Sequence, residues 1–298
     1  MKAAWYERNG AARDVLDVGE MDIPPLEDGE VLVRMATSGV NPSDVKSRRA
    51  KPPVGPRVIP HSDGVGRIEA AGRLVDRDRI GERVWLWNAQ WRRPFGTAAE
   101  YCAVPAAQAV RLPERVDDAA GACLGIPALT AVQAVRLQPR GEGRTLLVTG
   151  GGSSVGHYIV RVAKLKGARV ICTASARRAA HARDAGADFV IDHNAKDVAK
   201  VVMDLTRGAG VDGIIDMDMA STAPLVAASI MAQHGTWVCY GSSVGADIPI
   251  NYPAMLWNSY ALKCFVVYEL LQEDRRAAIS ALTGLLEAGK LRHTIAER

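Results

Sequence analysis

The spacing of apolar and polar positions changes near residue 117 of the chain. From Val31 to about Pro113, apolar residues fall in short β-branched runs separated by turn residues, as in VLVRMATSGV, GVGRIEAAG, RVWLW and TAAEYCAV. A helical period is not visible over this stretch. The pattern therefore predicts a compact β-rich domain, a partly closed barrel or a sandwich.

Beyond residue 117, short apolar strands alternate with helical segments. PALTAVQAVRL predicts a helix with proline in its first turn. We predict strands at 145–149, 169–174, 188–192, 211–216 and 236–240, with helices at 155–167, 177–185, 196–206 and 222–231. Such alternation is typical of βαβ units, whose right-handed crossovers build a doubly wound parallel sheet covered by helices.

After Gly241, ALKCFVVYEL predicts a strand and EDRRAAISALTGLLEAGK predicts a helix. One apolar face of that helix is expected to pack on the protein. It comprises Ala278, Ile279, Leu282, Leu285 and Leu286.

Composition narrows the class of protein. The net charge of +4 on 298 residues is too small to make nucleic acid or an anionic membrane the expected partner. The five cysteines form no C-x-x-C pair, which speaks against a disulfide framework and favours a reducing compartment. No run approaches the roughly 18 apolar residues of a membrane span, and Glu7 and Arg8 interrupt any signal peptide. We expect a cytoplasmic protein.

The stretch TLLVTGGGSSVG predicts a strand, a glycine-rich turn and the start of a helix. Its glycines permit a sharp turn and close helix packing, and helix N-termini favour phosphate. Ser153 stands where G-x-G-x-x-G has its middle glycine, and its hydroxyl can donate to a phosphate oxygen. In this context we predict a dinucleotide phosphate cradle over a merely flexible loop. Its residues are Gly150, Gly151, Gly152, Ser153, Ser154, Val155 and Gly156.

The following strand bears on which dinucleotide is bound. NAD-preferring sites carry an acidic residue there, whereas this chain has Thr173-Ala174-Ser175 followed by Arg177 and Arg178. An arginine can pair with a 2′-phosphate, so we predict NADPH over NADH, with Ser175 and the two arginines at the adenosine end. The alternative is that both arginines are solvated residues at a helix start.

Segments along nearly the whole chain resemble one family. They include SGVNPSDVKSR, GERVW, GTAAEYCAVPAAQAVRLP, LGIPALTA, AGADFVID and GTWVCYGS. The sequence resembles the medium-chain dehydrogenase/reductases, and among them the zeta-crystallin-like NADPH:quinone reductases. The resemblance implies a GroES-like substrate domain, 1–120 and 266–298, interrupted by a Rossmann NADPH-binding domain, 121–265, with the active site in the cleft between them. Family members continue past LRHTIAER, so the C-terminal part of the substrate domain is expected to be short.

The same resemblance predicts an enzyme without zinc. Alcohol dehydrogenase relatives have a catalytic cysteine where this chain has Asn41 and a zinc-binding histidine where it has Ser62, with His61 one residue out of register. A histidine without partners at ligand spacing is usually not a ligand. Hydride transfer from NADPH to a small planar quinone needs no metal. The family also implies a homodimer, with MLWNSYALKCFVVYEL extending a sheet between subunits.

Catalytic positions are carried over from the family. Asn41 and Thr130 would lie at the nicotinamide, although Asn41 could instead cap a turn before Pro42 and Thr130 could bond its own helix. Lys46, where the family often has tyrosine, would face the substrate oxygen or point to solvent. Further cofactor contacts are expected from Tyr240, Gly241, Ser242, Val266, Val267 and Tyr268.

VWLWNAQWRRPFG adds a candidate substrate wall. Trp85, Trp87 and Trp91 alternate as they would on one face of a strand, with Asn88 between them. Trp87, Asn88 and Trp91 would line a pocket for a flat apolar substrate. Core packing or a dimer contact would explain the same tryptophans.

Three functions remain open at this point. The first is quinone reduction by NADPH. The second is reduction of the activated double bond of an enal or enone, because the same hydride geometry serves both. The third is not enzymatic: an NADPH-binding sensor, or an RNA-binding or structural relative.

Overall fold

The computed structural model describes residues 1–139, 141–295 and 297. They form two compact units, Met1–Ile126 with the described residues from His293 onward, and Pro127–Arg292. The second boundary differs from the predicted one at residue 265. Residues 266–292 stay with the second unit because the helix Gln272–Glu287 packs on the helix Leu129–Arg136 of that unit.

The first unit is built on antiparallel sheets. Strands β1 and β2 pair with each other, and the remaining strands form one sheet in the order β6-β3-β4-β5-β7. Val31, Val33, Ile68 and Val84 are among the side chains of its core. The strands are β1 (Lys2–Trp5), β2 (Asp17–Glu20), β3 (Glu30–Gly39), β4 (Asp63–Ala71), β5 (Arg83–Leu86), β6 (Tyr101–Pro105) and β7 (Ala109–Arg111).

Short helices α1 (Ala12–Val15), α2 (Pro42–Ala50) and α3 (Asp118–Gly121) complete the first unit. Helix α2 lies where the sequence predicted only β structure. The features that start this helix are local and polar. Pro42 stands in its first turn, and the Asp44 side chain accepts a hydrogen bond from the backbone N–H of Asn41 at 2.7 Å. The apolar period that identifies most helices is missing.

The second unit has one parallel sheet in the order β10-β9-β8-β11-β12-β13. Its strands are β8 (Thr145–Val148), β9 (Arg169–Ala174), β10 (Phe189–Asp192), β11 (Val211–Asp216), β12 (Met231–Cys239) and β13 (Ala261–Cys264). The helices are α4 (Leu129–Arg136), α5 (Ser154–Leu165), α6 (Ala179–Asp184), α7 (Val198–Leu205), α8 (Met219–Ala227), α9 (Tyr252–Trp257) and α10 (Gln272–Glu287). The predicted doubly wound sheet is confirmed.

Some predicted bounds in this unit were wrong. Helix α8 ends at Ala227 and not at residue 231, and β12 starts at Met231 and not at residue 236. The first residues of β12 are extended because Met231 pairs with Val211 of β11, ahead of a register shift between Val211 and Gly213. The strand predicted in ALKCFVVYEL stops at Cys264 and is followed by a 3-10 turn, Val267–Glu269. Helix α4 begins only after a π-helical turn that contains Pro127.

Helix α10 has the predicted apolar face. Ala278, Leu282 and Leu286 are buried, while Ile279 and Leu285 are half-buried. Among the described residues, no helix is both long and apolar enough to span a membrane.

Candidate active site

The glycine-rich turn joins β8 to α5 and is tied to the neighbouring strand β9. Gly150 has a left-handed φ of 68°, which favours glycine, and its N–H donates to Thr173 Oγ1 at 3.0 Å. The N–H of Gly151 donates to the Thr173 carbonyl at 2.8 Å. The N–H of Ser153 closes the turn on the Gly150 carbonyl at 2.9 Å. The backbone of the turn is therefore held in place by protein hydrogen bonds.

Side chains are sterically excluded from this turn. A Cβ atom added to Gly156 would lie 2.1 Å from the Gly150 carbonyl oxygen, and one added to Gly151 would lie 2.6 Å from Cys172 Sγ. A Cβ added to Gly152 would lie 2.6 Å from the Cβ atom of Arg178. Glycine is required for this close packing, as expected for a strand-turn-helix that brings its backbone to a phosphate.

Ser153 is the N-cap of α5. Its Oγ accepts the N–H of Gly156 at 3.0 Å, and its own hydroxyl proton remains able to donate. The N–H groups of Ser154 and Val155 belong to the first helical turn, where no helix carbonyl can accept them. The positive end of the helix dipole lies at the same place. This end of α5 suits an anion, and the phosphate contact itself stays a prediction.

Arg178 lies against the turn, since its Cβ atom is the neighbour that a side chain at Gly152 would meet. Ser175 precedes the 3-10 turn Ala176–Arg178, and the side chains of Arg177 and Arg178 are exposed. No acidic residue lies between the end of β9 and this turn. The structure thus brings Gly152 and Arg178 together.

The end of β12 carries the next group of predicted residues. Tyr240 packs its ring against Phe265, with the ring centroids 6.4 Å apart. Its hydroxyl is buried without a hydrogen-bond partner in the described part of the chain, and burial raises its pKa. Ser242 donates to Asp218 at 3.5 Å.

The last predicted cofactor contacts follow β13. Val267 is buried, which fits a packing role, whereas Val266 is exposed and Tyr268 is half-buried. A contact of these residues with a cofactor stays a prediction.

In the first unit, Asn41 is the centre of a buried polar cluster. Its backbone N–H donates to Asp44 and caps α2, as the alternative interpretation expected for the turn before Pro42. Its side-chain Nδ2 donates to Asp63 Oδ2 at 2.8 Å, and the same oxygen accepts the N–H of Ile126 at 2.9 Å. The Asn41 side chain is therefore held in one orientation by the protein.

Asp63 was not predicted as a site residue. It is fully buried, and its Oδ1 has no hydrogen-bond partner within the described residues. Burial raises its pKa well above the ordinary range, against the lowering effect of the hydrogen bonds from Ile126 and Asn41. In the sequence, only the presence of an acidic residue in the stretch PHSDGVG pointed to Asp63. Its hydrogen-bond partners, Asn41 and Ile126, lie far away along the chain.

His61 lies in a hydrogen-bonded chain that ends at Asp63. Thr97 donates to the Asp63 carbonyl at 2.6 Å, so Ser38 must donate to Thr97 at 2.8 Å and accept from His61 Nδ1 at 2.9 Å. His61 then carries its proton on Nδ1. Burial lowers its pKa to about 4, which keeps the ring neutral at pH 7. Within the described residues, no group of three or more His, Cys, Asp or Glu side chains is arranged to hold a metal.

The other two catalytic candidates lie on helices. Lys46 is exposed on α2, whereas Asp44 and Arg48 of the same helix are buried. Thr130 is buried in α4 of the second unit. Their predicted roles at a substrate or nicotinamide stay predictions.

The predicted row of tryptophans on one strand face was wrong. Strand β5 ends at Leu86, and the left-handed residues Asn88 (φ 54°) and Arg92 (φ 58°) break the extended geometry that alternation requires. Trp85 is fully buried in the strand. Trp87 is half-buried and donates to the Ala107 carbonyl at 3.2 Å.

Trp91, also half-buried, lies in the turn that follows. The cations of Lys51 and Arg92 lie 5.3 Å and 5.5 Å from its ring centroid. A substrate contact of Trp87, Asn88 or Trp91 stays a prediction.

Two family models match the chain, one in each part. "Alcohol dehydrogenase GroES-like domain" matches residues 27–114, and "Zinc-binding dehydrogenase" matches residues 154–284. The chain belongs to the medium-chain dehydrogenase/reductase superfamily. The superfamily and the fold class predicted from the sequence, a GroES-like domain with a Rossmann sheet, are confirmed.

Similar members of this superfamily carry different names. The chain is 32% identical over 211 residues to a chloroplastic quinone-oxidoreductase homolog of Spinacia oleracea, a match that covers 67% of this chain and 64% of the relative. It is 26% identical over 281 residues to an alcohol dehydrogenase of Geobacillus stearothermophilus, covering 86% of this chain and 82% of that one. The chain therefore spans somewhat less than two thirds of the length of the spinach relative.

Solved structures of this superfamily match over nearly all of the chain. The quinone oxidoreductase of Pseudomonas syringae has a TM-score of 0.85 at 26% identity, covering 98% of this chain and 90% of that chain. A mycobacterial protein solved in complex with NADPH has a TM-score of 0.85 at 26% identity, covering 99% and 91%.

Proposed function

We propose that this medium-chain dehydrogenase/reductase transfers a hydride from NADPH to a quinone and uses no zinc. The choice of NADPH as the cofactor rests on the turn at Gly150–Gly156, where Arg178 packs against Gly152 and no carboxylate follows the end of β9. The mycobacterial structure with NADPH and the quinone-oxidoreductase names of similar proteins support the proposal.

The residues present fit a dinucleotide. The turn leaves no room for a Cβ at Gly152 or Gly156, and the first N–H groups of α5 are available for the pyrophosphate. The exposed guanidinium groups of Arg177 and Arg178 would bind the 2′-phosphate, where a carboxylate would repel it. Bound in this way, NADPH would supply the hydride.

The first unit supplies an amide where alcohol dehydrogenases have a zinc-binding cysteine. Asp63 fixes the orientation of Asn41 through the hydrogen bond to Nδ2, so the amide is positioned before any ligand arrives. An amide cannot replace a thiolate as a strong zinc ligand. A quinone accepts a hydride without a Lewis acid, and its proton can come from solvent.

The cofactor is tested by fluorescence titration with NADPH and NADH. We expect NADPH to bind at least about tenfold more tightly, since a paired phosphate contributes on the order of 1.5–3 kcal/mol. Arg178→Ala should remove most of this preference and leave NADH affinity unchanged, whereas the control Arg276→Ala, on an exposed residue of α10, should change neither. Equal affinities for the two cofactors in the wild type would refute the 2′-phosphate contact.

The reaction is tested by turnover with a panel of benzoquinones and naphthoquinones and a panel of enals and enones. We expect faster turnover of quinones, undiminished after dialysis against EDTA with zinc measured by mass spectrometry. Turnover of enals and enones alone would mean that the substrate carries an activated double bond and is not a quinone. Binding of NADPH with no turnover of either panel would favour the non-enzymatic sensor. Activity that follows the zinc content would overturn the metal-free proposal.

A further inference from the structure

The second unit contains a cavity of about 580 Å³ among helices α4, α5 and α10. Small-molecule sites commonly have volumes of roughly 300–1,000 Å³. The cavity contacts α5 at Val162 and Ala163, about 12 Å along the helix from its first residue, Ser154, at a rise of about 1.5 Å per residue. It therefore lies at the opposite end of α5 from the proposed phosphate cradle.

The walls of this cavity are mainly apolar. Val132, Val135, Leu146, Val162 and Leu285 all line it. A Cβ atom added to Gly284, which also lines the cavity, would meet no heavy atom within 4 Å. Part of the surface of α10 is thus left open, and an apolar molecule placed there would remove apolar surface from water.

A buried amide adds one polar feature to the lining. Gln138 is 6% exposed, and its Nε2 donates to the carbonyls of Ile214 at 2.9 Å and Thr236 at 3.3 Å. Its Oε1 is buried and has no hydrogen-bond partner among the residues that the structure describes. That oxygen packs against Gly213 of β11, where an added Cβ would lie 2.0 Å from it, so the amide belongs to the wall of the cavity and offers a ligand no exposed acceptor.

The charged side chains among the described lining residues are all positive. They are Arg136, Arg144 and Lys166. Arg136 lies 3.8 Å from Asp274 and Arg144 lies 3.3 Å from Asp212, and neither carboxylate is among the described lining residues. Lys166 is exposed at the C-cap of α5 and forms no ion pair with a described residue. An anionic group bound beside Lys166 would meet a cation that is not in an ion pair with any described carboxylate, although the side chain of Glu142 lies near the adjacent Gly167.

We propose that this cavity binds an amphipathic organic anion, a sulfonate or carboxylate with an apolar body. The apolar body lies between α4, α5 and α10, and the anionic group lies beside Lys166. This site is separate from the proposed nucleotide site, and it is independent of which substrate the enzyme reduces.

The probe is 8-anilinonaphthalene-1-sulfonate, which has an aromatic body, one N–H group and a sulfonate. Its uncharged analogue, N-phenyl-1-naphthylamine, lacks only the sulfonate. Fluorescence titration and calorimetry of the full chain should show one saturable site for the anion, at least about tenfold tighter than for the analogue, as a charge-assisted contact predicts. NADPH should not displace it.

Two pairs of variants locate the site. Lys166→Glu should weaken binding of the anion at least about tenfold and leave the analogue unaffected, whereas Lys200→Glu, an exposed control on α7, should change neither. Gly284→Phe should weaken both probes by filling the cavity. Gly284→Ala should leave both unaffected and raise the melting temperature, because alanine is the better helix former.

Circular dichroism and thermal melting check that each variant folds. If Gly284→Phe does not fold, the comparison of Lys166→Glu with Lys200→Glu tests the proposal by itself. The proposal is overturned by the absence of saturable binding, by displacement of the probe by NADPH, or by equal effects of Lys166→Glu and Lys200→Glu. Equal affinity for the anion and its uncharged analogue would also overturn it.

Discussion

At the scale of single residues, Asp63 is the group on which the Asn41 cluster depends. One of its oxygens accepts both the Nδ2 group of Asn41 and the N–H of Ile126. Asp63→Ala leaves these two buried donors without an acceptor, at a cost of about 1–3 kcal/mol each, so we expect about 3 kcal/mol of lost stability. Asp63→Asn keeps an acceptor oxygen for both donors, so it should cost much less.

Urea unfolding followed by circular dichroism measures both variants. The informative comparison is between Asn and Ala at this position. Equal losses of stability would mean that the accepted hydrogen bonds do not determine the role of Asp63.

Asp44 makes the stability of the first unit depend on pH. Burial raises its pKa from 3.8 to about 6, and the hydrogen bond from the Asn41 backbone opposes this only in part. The folded protein then binds a proton more tightly than the unfolded chain, so this contribution is present below pH 4 and is lost as the pH rises through 6. The raised pKa corresponds to about 3 kcal/mol.

The variant Asp44→Asn tests this contribution, because its side chain does not titrate. The difference in unfolding free energy between wild type and variant should change by about 3 kcal/mol between pH 4 and pH 7 and then level off. Unfolding at several pH values in constant salt measures it. A difference that does not vary with pH would show that Asp44 titrates normally.

The sequence predicted the local environment of a residue only where its hydrogen-bond partners are close along the chain. Ser153 was placed in the turn, and it accepts the N–H of Gly156 three residues on. Asn41 was proposed as a site residue, but its hydrogen bond to Asp63 was not predicted, because it spans 22 residues and depends on the pairing of β3 with β4. The predicted row of tryptophans on one strand face was wrong because the left-handed φ of Asn88 cannot be read from the apolar pattern.

At the scale of secondary structure, the start of α5 combines a cap with the proposed phosphate cradle. Ser153→Ala removes the acceptor of the Gly156 N–H and should cost about 1 kcal/mol of stability, whereas Ser153→Gly should cost only a few tenths. If the hydroxyl also donates to a phosphate, both variants should bind NADPH more weakly, by a similar factor. Thermal melting separates the cap from the ligand contact, which titration measures.

A loss of stability in Ser153→Ala with unchanged NADPH affinity would limit Ser153 to the cap. Ser280→Ala, at an exposed position of α10, is the control for the removal of a hydroxyl.

The β-α alternation of the second unit could be predicted because each element buries an apolar face with its own period. The same reasoning could not find α2, whose buried residues include Asp44 and Arg48 in place of an apolar stripe. The start of β12 was also missed. Residues near Met231 become extended by pairing with β11, a constraint from another part of the chain.

At the scale of the whole molecule, the sequence predicted two parts but not where the second part ends. Helix α10 was expected to return to the first domain by family resemblance, yet it packs with α4 in the second unit. Its apolar face was correctly predicted. An amphipathic pattern identifies which side of a helix is buried, and it carries no information about which neighbour covers that side.

The second unit also has features that favour a homodimer. Strand β13 is the last strand of its sheet, and its residues are largely exposed. On the preceding helix α9, Tyr252, Leu256 and Trp257 are exposed at 68%, 54% and 77%. An open strand edge beside exposed apolar side chains is typical of a surface that pairs with another chain.

We therefore expect sedimentation velocity to give twice the chain mass of 31.9 kDa for the wild type. Trp257→Glu should shift the protein to monomer, because a charge placed in the apolar centre of an interface would be buried without a partner. Leu74→Glu, at a residue of the first unit that is 82% exposed, is the matched control and should remain dimeric. A wild type that sediments as a monomer at micromolar concentration would contradict the dimer. A Trp257→Glu variant that stays dimeric would place the interface elsewhere than α9 and β13.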